Sequence, residues 1–136
     1  MKLIVVGTGS SGNCYILEGR TSSLIIECGV RFFEIKRALN FNYDRVAGML
    51  ISHEHKDHCR SAKEVAAAGI NIFASEGTIT ALGFSSHRLF SMKENESQTI
   101  GEFVVMPFKI QHDAAEPFGF LIHHLECGNV LFLTDS

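Results

Sequence analysis

Hydrophobic positions along this chain fall into short runs, most of them too brief for helices. Residues 2–6 read as a buried strand that stops at Gly7, and the glycine- and serine-rich residues 7–13 read as a turn. Strands follow at 14–18 and 24–27, on either side of a turn at 19–22. Residues 32–39 put Phe32, Ile35 and Leu39 at helical spacing with charges between them, which predicts a short amphipathic helix. An apolar strand at 47–52 then runs straight into His53. Residues 60–68 read as a helix stopped by Gly69, residues 71–74 as a buried strand, and residues 75–82 as a helix capped by Ser75. The remainder is strand-rich, at 102–110, 118–124 and 129–134, with a turn at Cys127 and Gly128. Strands alternating with helices, followed by a strand meander, predict an α/β layered sandwich. No repeat, low-complexity tract or linker divides it, so one domain over residues 1–136 is expected.

Composition narrows the class. With 46% hydrophobic and 20% charged residues, the chain is too apolar for disorder and ordinary for a globular protein. A formal charge of −3 gives no general attraction for nucleic acid, although a local basic patch can sit within an acidic total. The apolar start at residues 3–6 is too short for a secretion signal or a membrane span, so a cytoplasmic location is expected. Cys14, Cys28, Cys59 and Cys127 show no paired spacing and read as four free thiols. Cys59 directly follows a histidine and is a candidate extra metal ligand.

The strongest chemical signal is Ser52-His53-Glu54-His55-Lys56-Asp57-His58, which holds three histidines and an aspartate at the mouth of a strand. In extended backbone His53 and His55 point to the same side, because side chains alternate with period two, and so can grip one metal. A turn into helix would swing Asp57 and His58 toward a neighbouring point, where a second metal can sit. Imidazole with carboxylate suits zinc, manganese or iron. A solvated loop at a helix start explains Asp57 but not three neighbouring histidines. His112 and Asp135, each at the end of a predicted strand, are the further candidate ligands, Asp135 as a carboxylate able to bridge two metals. His123 and His124 read as one packed and one solvated strand residue, or as a replacement ligand, and His87 as surface.

This pattern resembles the metallo-β-lactamase superfamily, whose order is H-x-H-x-D-H, then a single His, then a bridging Asp, then a final His. Gly9-Ser10-Ser11-Gly12-Asn13-Cys14 and His112-Asp113-Ala114-Ala115-Glu116-Pro117-Phe118-Gly119 look like segments of one branch, regarded as bacterial and phage DNA-processing exonucleases. The resemblance implies an αββα fold, present here as its N-terminal portion. It also implies His53, His55 and His112 on a first metal, Asp57 and His58 on a second, and Asp135 bridging. A metal-bound hydroxide, oriented by Asp57, would then attack a phosphodiester.

Two departures from that pattern matter. The family commonly has Asp after its third strand, orienting a metal-binding histidine, and here the position falls to the longer Glu27. The sequence also stops one residue after Asp135, before a final His. A whole sheet is therefore expected to be missing, leaving an apolar face to be covered by a homodimer partner or a second polypeptide. Three functions remain open. They are a zinc- or manganese-dependent phosphodiesterase or nuclease, a thioester, lactone or lactam hydrolase using the same metals, and a catalytically silent metal-binding subunit.

Overall fold

A computed structural model describes residues 1–133. Among the described residues, ten strands and four short helices form three layers. β1 (Lys2–Gly7), β2 (Cys14–Glu18), β3 (Ser23–Ile26), β4 (Val46–Leu50), β5 (Ile72–Ser75) and β6 (Leu89–Met92) make a six-stranded sheet in that order. The first three strands pair antiparallel and β3 to β6 parallel. The parallel connections run through α1 (Phe32–Ala38), α2 (Lys56–Cys59), α3 (Ala62–Ala67) and α4 (Glu76–Leu82). A second, antiparallel sheet has the order β10 (Gly128–Phe132), β9 (Phe118–His124), β8 (Phe103–Lys109), β7 (Gln98–Ile100).

Strand alternation divides the apolar residues between two cores. Ile16, Ile25, Met49 and Ile72 face the helices, where Ile35, Ala62 and Val65 meet them. Their neighbours Leu17, Ile26, Leu50 and Phe73 face the second sheet and pack on Phe103, Val105, Phe118, Phe120 and Ile122. Because both faces of the parallel strands are covered, they read as continuous apolar runs.

This packing corrects the expectation of a missing sheet, since β7 to β10 already form one. What the described residues leave uncovered is its outer face. Met106 and Leu121 are cross-strand partners there, and Leu131 pairs with Leu121 from the other side. Phe108 and Leu133 close over Gly119, where a Cβ would lie 2.6 Å from the ring.

Smaller differences have local causes. β1 is an edge strand, with Leu3 and Val5 exposed, and only Ile4 and Val6 reach the helix-side core. The helix expected at 60–68 is α3, preceded by the separate turn α2. β6 and β7 had no strand signal, being four and three residues long without clear alternation. Ser75 caps α4 as expected, its hydroxyl accepting from the Thr78 N–H at 3.1 Å. No helix among the described residues is long and apolar enough to cross a membrane.

Candidate metal centre

The centre is built where β3 and β4 end side by side. After Leu50 the chain stays extended through His53, with the Ser52 carbonyl accepting from the Phe118 N–H at 2.9 Å. It then turns into α2, the His58 and Cys59 amides donating back to the His55 carbonyl. The Asp57 and His58 carbonyls are pinned in turn, by the Asn13 amide at 2.7 Å and the Cys28 amide at 2.8 Å. That close approach requires glycine at position 29, where a Cβ would sit 1.8 Å from the Asp57 oxygen. Asn13 is the staple on the other side. Its side chain accepts from the Gly9 N–H and donates to the Gly9 and Asp57 carbonyls, tying the turn before β2 to the ligand loop.

His112 arrives from the loop between β8 and β9. Glu54 Oε2 accepts from the Ala115 N–H at 2.9 Å, and Glu116 Oε1 accepts from the Gly77 N–H at 2.9 Å. The two acids clamp that loop to the histidine segment and to α4. His53, His55 and His112 each offer a nitrogen within 4.8 Å of the others. Their rings crowd together, with His53 4.7 Å from His55 and 4.3 Å from His112 between centroids.

One buried carboxylate organises two of the rings. Glu27 is fully buried; its Oε1 accepts from the Ser52 N–H at 2.8 Å and its Oε2 from the Ser52 hydroxyl at 2.6 Å and from His58 Nδ1. Having given its only proton to Glu27, the Ser52 hydroxyl must accept from His53 Nδ1, which lies 2.8 Å away. Both histidines therefore carry their proton on Nδ1 and keep Nε2 as an acceptor, which on His58 lies 3.4 Å from the Asn13 side-chain amide nitrogen. On His53 that Nε2 is buried and without a hydrogen-bond partner, as is Nδ1 of His112. Burial first, then the neighbouring His58, His112 and His55, holds the His53 imidazole down to about 3, so it stays neutral. A neutral His53 with an orphaned buried nitrogen, converging with His55 and His112, fits a divalent cation.

Glu27, His53 and His58 also fall within the spacing of a metal set. Glu27 already accepts three hydrogen bonds and acts as an orienting group, the role expected for its position. Its longer side chain is accommodated by a left-handed backbone, φ 70°, which costs about 1–2 kcal/mol in a residue other than glycine.

The other candidates are placed as follows. Asp57 lies beside His58, its Oδ2 3.6 Å from Nε2, and both line a cleft together with His55 and His112. Asp135 lies outside the described residues. Cys59 donates its thiol to the Glu54 carbonyl at 3.0 Å, and burial, then Glu27, Glu54 and Asp57, pushes it up to about 11. Its sulfur is not part of either group of side chains at metal-ligating spacing. His123 is exposed beside Asn129, and His124 is buried against Phe103 with Nδ1 accepting from the Glu126 N–H. Neither belongs to the cluster, and His87 is exposed. Sequence reasoning assigned no role to Ser52, although its place immediately before His53 was the available signal.

The cleft holds about 470 Å³ and is also lined by Thr8, Gly9, Ser10, Tyr15, Phe132 and Leu133. Tyr15 and Phe132 meet edge to face at 5.6 Å.

Two sheets packed face to face, with a histidine cluster at the strand ends, define a metallo-β-lactamase fold. The solved Bacillus subtilis metallo-β-lactamase fold protein YhfI superposes with a TM-score of 0.80 over 98% of this chain and 61% of its own, at 18% identity. The subclass B3 metallo-β-lactamase MEM-A1, from a soil metagenome library, gives 0.75 over 95% of this chain and 58% of its own, also at 18% identity. Within that fold, the family model described as Anti-Pycsar protein Apyc1 matches residues 1–82, and the chain belongs to that family. It is also 26% identical over 129 residues to the exodeoxyribonuclease YycJ of Bacillus anthracis, covering 88% of this chain and 49% of that protein. The exodeoxyribonuclease WalJ of Streptococcus pneumoniae gives 26% identity over 129 residues, 85% of this chain and 47% of its own. The chain thus spans about half the length of the curated relatives it matches. The exonuclease-branch resemblance read from its two short segments agrees with these relatives.

Proposed function

We propose that the chain carries the metal centre of a hydrolase that cleaves phosphodiesters, with nucleic acid as the substrate. The observation that carries this reading is the convergence of His53, His55 and His112, with the His53 tautomer set by Ser52 and Glu27 and with His55 and His112 lining an open cleft. The exodeoxyribonuclease names of the curated relatives support the choice of substrate.

In this reading His53, His55 and His112 hold one divalent ion, Asp57 and His58 a second, and Asp135 bridges, with zinc or manganese as the metals. Bound there, the metals would lower the pKa of water and neutralise charge on the phosphoryl oxygens. The chain's own residues do the positioning. Glu27 and Ser52 fix the histidine tautomers, Asp57 orients the attacking water, and Asn13 holds the Asp57 backbone in place. Water adds to phosphorus, the ester P–O bond breaks, and the leaving alcohol takes up a proton. The four cysteines are free, which suits a cytoplasmic setting.

A second reading, hydrolysis of a thioester, lactone or lactam, has one observation in its favour. The described lining of the cleft contains no lysine or arginine to meet an anionic substrate. The deciding experiment offers the metal-loaded protein bis(p-nitrophenyl) phosphate and a labelled oligonucleotide beside nitrocefin and a thioester. Turnover of the phosphodiesters alone is expected. Turnover of the acyl substrates alone would move the assignment to the second reading, and none at all, with metal bound, to a silent subunit.

A further inference from the structure

Beside the metal cleft lies a second hollow of about 360 Å³, lined by Ser10, Ser11, Gly29, Lys56, Asp57 and Arg60. It shares Ser10 and Asp57 with the cleft, so the two adjoin along that wall. Their chemistry differs. The hollow presents two cations one helical turn apart, the Arg60 N–H donating to the Lys56 carbonyl at 3.0 Å. At that spacing the side chains share a face and repel each other. Both residues are exposed, and among the described residues no carboxylate lies within ion-pair distance of either. Asp57 is instead beside His58. The hollow is also lined by two exposed serines on the turn shaped by Gly9 and Gly12, at φ +83° and +137°. Two cations together with hydroxyl groups suit a phosphate, arginine through its forked donors and lysine as a point charge.

We propose that this hollow is a subsite for a second phosphate, so that the substrate is a nucleic acid strand and not a single small phosphodiester. The inference rests on the phosphodiester reading of the metal centre. A small ester would fill the central cleft and leave Lys56 and Arg60 unused. A strand whose scissile phosphate sits over the histidines would bring an adjacent phosphate to them.

The test measures binding in the full-length protein, metal-free in chelator so that nothing is cleaved. A fluorescein-labelled ten-nucleotide thymidine strand is titrated by anisotropy across a salt series. In the Lys56→Gln/Arg60→Gln protein the affinity should fall at least tenfold at about 0.1 M salt. The plot of log affinity against log salt should become shallower by about 0.7, because the subsite takes one phosphate and each single-strand phosphate contact contributes about 0.7. Lys2→Gln/Arg20→Gln removes the same charge at the far end of the six-stranded sheet and should leave the slope unchanged. Equal losses in the two double variants, no change in the first, or no strand binding by the unaltered protein would each overturn the subsite. The underlying reading is tested apart, by hydrolysis of bis(p-nitrophenyl) phosphate with metal restored. If that fails while the binding difference stands, the metal-centre assignment is wrong and the nucleic acid contact remains.

Discussion

Replacing Glu27 by glutamine changes one atom of a buried side chain and should disturb two metal-facing histidines at once. The carboxylate accepts three hydrogen bonds, from the Ser52 amide, the Ser52 hydroxyl and His58 Nδ1. An amide has one oxygen, so it can serve only one side of that set. With its NH2 toward Ser52 Oγ and His58, the hydroxyl must turn its proton to His53, and both imidazoles must shift their proton to Nε2. The lone pairs offered to the metal are then replaced by N–H groups. With the amide turned the other way, its NH2 meets the Ser52 N–H and a buried donor is left unsatisfied, at a cost of about 1–3 kcal/mol. Loss of such an orienting partner typically weakens metal affinity about 10- to 100-fold. Zinc affinity by competition against a chromophoric chelator, beside denaturant unfolding in EDTA, reads both effects. Full zinc affinity in Glu27→Gln would refute the tautomer argument, even if the protein were less stable.

Other outcomes follow from the same geometry. Gly29→Ala places a Cβ 1.8 Å from the Asp57 oxygen, so the ligand loop must move; stability should fall by about 1–3 kcal/mol together with zinc affinity, and unchanged melting would contradict the packing. The metal-free protein should lose stability as pH falls below about 6.5. The unfolded His53 takes up a proton near that value, whereas burial and its histidine neighbours hold it at about 3 in the fold. The expected slope is up to about 1.4 kcal/mol per pH unit, and unfolding free energy that is flat between pH 7 and 5 would count against it. The uncovered face around Met106, Leu121 and Leu131 should drive self-association, with Leu131→Lys raising the dissociation constant about tenfold or more. A clean monomer at high concentration by light scattering, for the unaltered chain, would oppose that.

Local periodicity made individual strands of both sheets legible. Residues 14–18 and 118–124 were read with the observed bounds of β2 and β9, and Ser75 was recognised as the cap of α4. The histidine segment was equally plain, because period-two alternation brings His53 and His55 to one side. Non-local pairing was not legible. Val104, Met106 and Phe108 make β8 apolar on its outer face as well, so the sequence does not show which face meets the first sheet. A second sheet was expected to be missing because the sequence stops before the family's final His, although strands at 102–110, 118–124 and 129–134 were read. The link through Ser52 was also hidden, since it depends on Glu27 adopting a left-handed backbone that its residue type does not favour.

The most direct measurement is an anomalous difference map at the zinc edge, from crystals of the protein grown with zinc. The expected result is a peak bonded to His53, His55 and His112, at about 2.0–2.1 Å from each nitrogen. Ordered histidines with no peak among them, or zinc held instead at His87 or His123, would contradict the assignment of this cluster as the metal centre.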